Sequence, residues 1–250
     1  MRTAKTVLTV IQERGKQKKP IERVYKLLFN RELYLNAYAK LYPNNGAMTK
    51  GVTNETVDGM SIQKIDRMIE ILREEKYQWK PARREYIKKK NGKKRPLGIP
   101  VWGDKVLQEV MRQILEAYYE PQFSEHSHGF RPNRGCHTAL QEIQVWKGTR
   151  WFIEGDISQY FDTIDHKILL EILARNIHDG RFIRLVSNML EAGYLEEWKF
   201  KQTISGVPQG GVISPILANI YLNEFDNWIE EVLIPKYTKG KRQKSNPEYL

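Results

Sequence analysis

The sequence predicts an α+β fold, with a helix-rich N-terminal part and a β-hairpin after it. Three patterns carry this. Apolar residues recur at helical spacing in several long stretches. An Asn91-Gly92 pair sits between two short runs of strand character. A short apolar run, Trp151-Phe152-Ile153, leads directly into Gly155-Asp156. With 250 residues, 40% of them hydrophobic, the chain has material for a real core in one large domain or two modest ones.

Residues 1–19 are basic and turn-prone around Gly15, which predicts a flexible arm or a short helix ordered by a partner. Between Pro20 and Leu41, Ile21, Val24, Leu27, Leu28, Leu35, Tyr38 and Leu41 predict one helix, ended by Pro43-Asn44-Asn45-Gly46. Residues 46–59 have neither period and predict a functional loop. Ser61 should cap a helix reaching about Lys76, with Ile62, Ile65, Met68, Ile69 and Leu72 inward. The hairpin pairs Glu85-Tyr-Ile-Lys with Arg95-Pro-Leu-Gly-Ile-Pro. A helix over 104–119 would bury Val106, Val110, Ile114 and Leu115. Trp151-Phe-Ile reads as a buried strand, and 166–176 and 181–192 as helices. A glycine-bearing loop, 203–211, precedes a helix opened by Ser214-Pro215. The stretch 236–244, with five basic residues and no acid, reads as a linker.

Charge narrows the function. Lys and Arg number 41 against 30 Asp and Glu, a formal charge of +11. That excess favours a polyanion, nucleic acid above all. A membrane is disfavoured, because the apolar run Val7–Ile11 is too short to span one. The single cysteine, Cys136, excludes an internal disulfide. His126-Ser-His128 lacks the further partners a zinc site needs.

Three segments have residues suited to phosphoryl chemistry. Asp156, at the exit of an apolar run, either holds Mg²⁺ with the Ile157 carbonyl or caps the next helix. From Lys80 to Arg95 there are nine basic residues and one acid, Glu85. They either converge on a phosphate-rich ligand or form a solvated edge strand. Ser205-Gly-Val-Pro-Gln-Gly-Gly-Val-Ile-Ser-Pro lets a backbone approach a ligand closely, with Gln209 within reach of a base or sugar, or is a plain turn before a helix. Together they are the parts of template-directed phosphoryl transfer.

At these residues the chain resembles group II intron-encoded reverse transcriptases (maturases). Trp151–Asp165 resembles motif A of that family, and Gly206-Val-Pro-Gln-Gly-Gly-Val-Ile-Ser-Pro-Ile-Leu-Ala-Asn-Ile-Tyr-Leu resembles motif B. Lys93-Lys-Arg-Pro-Leu-Gly-Ile-Pro is similar to its first fingers motif, and His128–Ala139 to its second block. The resemblance runs from about residue 20 to 230. It implies right-hand polymerase fingers and a partial palm. Residues 1–105 would be the N-terminal extension and fingers and 106–250 the partial palm, with 166–205 returning to the fingers. Asp156 would be catalytic and hold Mg²⁺ with Ile157. Phe161 would exclude a ribose 2′-hydroxyl, Lys89, Arg95 and Arg83 would meet the triphosphate, and Gln209 would lie beside the nucleotide. Arg131 and Arg134 would contact RNA along the template path, with Phe130 in the core, and Lys18, Lys19 and Lys50 would add RNA contacts.

The implied activity is RNA-directed DNA synthesis coupled to intron splicing and mobility. The implied partners are group II intron RNA, an RNA template with DNA primer, deoxynucleoside triphosphates and a second copy of the chain in a homodimer, in a bacterial cytoplasm without membrane. Family members carry a Tyr-Ala-Asp-Asp segment after motif B, and no adjacent Asp pair occurs in these 250 residues. The expectation is therefore an N-terminal fragment, without thumb or maturase domain and inactive alone. An RNA-binding splicing cofactor without polymerase activity is the alternative. A retron- or CRISPR-linked reverse transcriptase fits less well with the early loop and the 128–138 block.

Overall fold

A computed structural model describes residues 2–88, 92, 94–147, 153–197, 199–203, 205–207 and 210–237. Lys89, Asn91, Trp151, Phe152, Pro208, Gln209 and residues 238–250 lie outside them. The fold is α+β. The described residues divide into two compact units: those up to Gln122 with Gly155–Ala218, and 123–154 with the residues from Asn219 onward.

In the first unit the chain opens with helix α1 (Ala4–Lys16), the helical one of the two readings, a flexible arm or a short helix. Ala4, Ile11 and Gly15 lie on one helical face and are buried. Gly15 permits the contact with α4 (Trp102–Tyr119): a Cβ there would stand 2.1 Å from the Tyr118 carbonyl oxygen. The single helix expected over 20–41 is three pieces. A two-residue strand β1 (Ile21–Glu22) precedes a 3₁₀ turn, Val24–Phe29, and α2 (Arg31–Leu41). The break has a local cause. Asn30 caps α2, its side chain accepting from the Glu32 amide, and a cap adopts extended backbone that interrupts a helix.

Ser61 caps α3 (Ile62–Arg73) as expected, accepting from the Lys64 amide. Ile62 is 53% exposed, however, because the first turn projects past the core. Strands β2 (Ala82–Lys88) and β3 (Lys94–Ile99) form the hairpin, in register from Arg83 opposite Ile99 to Lys88 opposite Lys94. Helix α4 is the centre of the core, with Val106, Leu107, Val110, Met111, Ile114 and Leu115 fully buried. Helix α5 (Cys136–Gln144) belongs to the second unit; in the first, further on, come α6 (Tyr160–Thr163), α7 (His166–Asn176), β4 (Ile177–His178) and α8 (Gly180–Leu190). Two three-residue strands, β5 (Tyr194–Glu196) and β6 (Lys199–Lys201), complete the sheet in the order β3-β2-β5-β6. β5 runs parallel to β2, Ala82 opposite Tyr194. The buried strand expected at 151–153 is not borne out at Ile153, which is 94% exposed and in no strand, and no described strand lies beside it to supply hydrogen bonds.

Helix α9 (Ser214–Trp228) begins in the first unit, burying Ile216, Leu217 and Ala218. In the second unit, Ser124 is held through its amide by Asn223 Oδ1 at 3.3 Å and through its hydroxyl by Glu230. A π-helical stretch, Ile229–Leu233, leads to α10 (Ile234–Tyr237). Among the described residues no helix is long and apolar enough to cross a membrane.

Candidate nucleotide site

Asp156 lies in an exposed, irregular segment, and within the described residues its carboxylate has no hydrogen bond or ion pair. It caps no helix: the N-cap of α6 is Gln159, at φ 51° and without a side-chain cap bond. One of the two readings of Asp156 is thereby removed. Ile157, which follows it, is 53% exposed.

Phe161 follows on α6, half-buried, its ring 5.7 Å from that of Tyr160. Tyr160 is anchored to α9 by donating to the Ala218 carbonyl at 2.7 Å. The 205–211 loop locks onto α6 through main-chain groups. The Val207 amide donates to the Phe161 carbonyl at 2.7 Å, and the Gly206 amide to the Ile164 carbonyl at 2.8 Å. Ser205 Oγ donates to the Asp162 carbonyl at 3.1 Å. His166 Nε2 lies 2.7 Å from the Gly206 carbonyl and donates to it. Only glycine fits position 206: its φ is +88°, and a Cβ would meet the Phe161 oxygen at 2.7 Å.

The same loop also reaches the hairpin. Gly210, at φ +107°, approaches β3 so closely that a Cβ would stand 2.6 Å from the Gly98 carbonyl oxygen. One residue past Gly211, the Val212 amide donates to Gln108 Oε1 of α4 at 2.9 Å. Gln108 is 4% exposed, a polar residue on the core side of an apolar helix. That pattern was visible in the sequence, but its partner was not. The three segments with chemical potential thus lie in one unit, joined through Gly206, Val207, Gly210 and Val212.

The hairpin's cations divide between uses. Arg83 donates through Nε to the Lys50 carbonyl at 3.0 Å and pairs with Glu85, so it anchors the 46–59 loop. Arg95 is exposed on β3, opposite Ile87. Lys50 is exposed, as are Lys18 and Lys19 just after α1. Lys105 Nζ donates to the Gly46 and Thr49 carbonyls at 3.2 and 3.1 Å, and burial lowers its pKa. Asp104, beside it, accepts from the Tyr77 hydroxyl at 2.6 Å and the Lys80 amide at 3.0 Å. Burial pushes its carboxyl up to about 6, against the downward pull of those two bonds.

In the second unit the expected exposures of two neighbours are reversed. Phe130 is 71% exposed rather than core. Arg131 is 7% exposed and donates to the Ser124 and Ser127 carbonyls, its guanidinium 5.4 Å from the Phe123 ring centroid. A guanidinium can satisfy several carbonyls at once, which explains why it and not the aromatic ring closes this turn. Arg134 donates to the carbonyl and carboxylate of Glu125. His128 bridges Thr138 and Glu142, each at 2.8 Å. Among the described residues no group of three His, Cys, Asp or Glu side chains is arranged to hold a metal. Asp156 and the Ile157 carbonyl are hard oxygen donors, the kind Mg²⁺ prefers.

Residues 87–239 match the family model described as reverse transcriptase (RNA-dependent DNA polymerase). The chain is 48% identical over 229 residues to the group II intron-encoded protein LtrA of Lactococcus lactis subsp. cremoris, covering 91% of this chain and 38% of that protein. It is 47% identical over 237 residues to an uncharacterised 91 kDa protein in the cob intron of Schizosaccharomyces pombe, covering 92% of this chain and 29% of that one. The chain therefore spans well under half the length of these relatives. A solved Cas6-RT-Cas1–Cas2 complex has a chain with the same fold, at TM-score 0.55 and 20% identity, covering 83% of this chain and 35% of that one.

Proposed function

The chain belongs to the reverse transcriptase family, within which it is similar to group II intron-encoded proteins, and on that premise we propose that it contributes the incoming-nucleotide side of an RNA-directed DNA polymerase active on intron RNA. One observation carries the reading: the main-chain lock between 161–164 and 205–207, which continues through Gly210 to the hairpin. A nucleotide bound there would meet groups fixed relative to one another before it arrives, which is what makes positioning effective in phosphoryl transfer.

In this reading Asp156 and the Ile157 carbonyl hold Mg²⁺, which would neutralise charge on the transferring phosphoryl group. Phe161 bears on the sugar and excludes a 2′-hydroxyl. Arg95 and Lys89 meet the triphosphate, and Gln209 lies beside the nucleotide. Arg83 acts one step back, holding the 46–59 loop against β2. Residues 1–105 form the extension and fingers, and 106 onward the palm. The pairing of β5 with β2 supports the return of 166–205 to the fingers. Lys18, Lys19, Lys50 and Arg134 serve RNA, and Arg131 supports them by closing its turn. Template, primer and deoxynucleoside triphosphates are the partners, and the compartment is the bacterial cytoplasm. The carboxylate of Asp156, exposed and unpaired among the described residues, favours this over a splicing cofactor without polymerase activity, which has no use for it.

Binding to RNA tests the reading at its base. A net +11 chain that neutralises phosphates releases counterions. Its affinity for single-stranded RNA should fall with salt by about 0.7 log units per log unit for each phosphate contact. An affinity unchanged between low and moderate salt would contradict it.

A further inference from the structure

Behind the 161–164/205–207 lock, on the side of the sheet where β5 joins β2, lies a cavity of about 270 Å³. Its lining includes Arg84, Tyr194, Thr203, Ser205, Gly206 and Val207. Arg84 is unusual among the hairpin's cations. Strand alternation turns it to the opposite face from Arg83, away from the 46–59 loop. Its guanidinium carbon stands 3.9 Å from the Tyr194 ring centroid. Its Nε is buried and has no hydrogen-bond partner among the described residues. The acid that feels its charge, Glu196, is bonded instead by Lys201 and the Tyr86 hydroxyl.

A buried guanidinium N–H without an acceptor is costly, and a cavity at the same place offers the remedy. We propose that this cavity binds a small oxyanion of the phosphate or pyrophosphate type, accepted by Arg84. Guanidinium matches such an anion in geometry as well as charge, through parallel N–H donors. Thr203 and Ser205 add hydroxyls to the wall. Tyr194 fixes the guanidinium plane from one side, so little freedom is lost on binding. Asp162 also lines the cavity, its Cα and carbonyl lying against Gly206. An anion here therefore touches the back of the residues that position Phe161. The proposal stands apart from the nucleotide reading of Asp156 and Arg95, and can hold if that reading fails.

The direct test uses the unmodified chain. In an amide nitrogen–proton correlation spectrum, inorganic pyrophosphate in metal-free buffer should shift the Arg84 Nε–H and the Gly206 and Val207 amides, saturably. Shifts confined to Ile157 and Arg95, or no saturable shift with either pyrophosphate or a short single-stranded RNA, overturn the proposal. Arg84→Gln should weaken binding about tenfold or more, while Lys64→Gln leaves it unchanged. Unaltered affinity in Arg84→Gln also overturns it. If a short single-stranded RNA moves the same resonances and pyrophosphate does not, the anion is a backbone phosphate. If pyrophosphate alone moves them, it is a free one.

Discussion

Gly206 and Asp104 show how much of the site depends on single groups. A methyl at 206 would collide with the Phe161 carbonyl in a backbone conformation, φ +88°, that other residues rarely adopt. Gly206→Ala should destabilise the chain by about 1–3 kcal/mol, read as a lower melting temperature. Unchanged stability would mean the lock yields easily and positions nothing. Asp104 gives a pH prediction. Its folded pKa, about 6, lies above the ordinary carboxylate value, because burial disfavours the charged form. The protonated acid therefore favours the folded state: its contribution is full below about pH 4 and is lost as pH rises through 6. The loss is about 2–3 kcal/mol. Asp104→Asn should remove most of that slope, compared by urea unfolding at pH 4 and 7. A slope equal to the unmodified protein's would show that Asp104 titrates normally. Asp156 and Phe161 were singled out by residue type and motif, and their roles are proposals. The Arg131–Phe130 reversal was not, because either side chain can close a turn and only its carbonyls decide which.

Among the elements, α4, α7 and α8 were read from apolar period alone, since each buries one continuous face. Helix α1 was left open between an arm and a short helix because its composition is basic and Gly15 lowers helix propensity, while its burial comes from α4, some hundred residues on. That difference has a testable sign. By propensity alone Gly15→Ala should stabilise the helix by about 1 kcal/mol. By packing it should destabilise by about 1–3 kcal/mol, because a Cβ would stand 2.1 Å from the Tyr118 oxygen. A fall in melting temperature supports the packing account, and a rise refutes it. Strands β5 and β6 escaped notice for a related reason. Three-residue strands have too little period to read, and β5 is defined by its pairing with β2 more than a hundred residues earlier.

For the whole molecule, the fold class and the order of motifs were legible, but the joining of the site was not. The bonds that unite 161–164 with 205–207, and Gln108 with Val212, run mainly through main-chain groups, which every sequence has alike. Those bonds hold the stretch 161–164, which begins five residues after Asp156. The most direct measurement is made in a hybrid enzyme, with this chain replacing the matching stretch of the Lactococcus lactis relative. Asp156→Asn keeps the side chain's shape and removes the charge that Mg²⁺ requires. Primer extension on an RNA template, RNA binding and melting temperature are then compared with the unsubstituted hybrid. The account predicts that extension is lost while RNA affinity and melting temperature stay unchanged. Extension at the unsubstituted rate would contradict it.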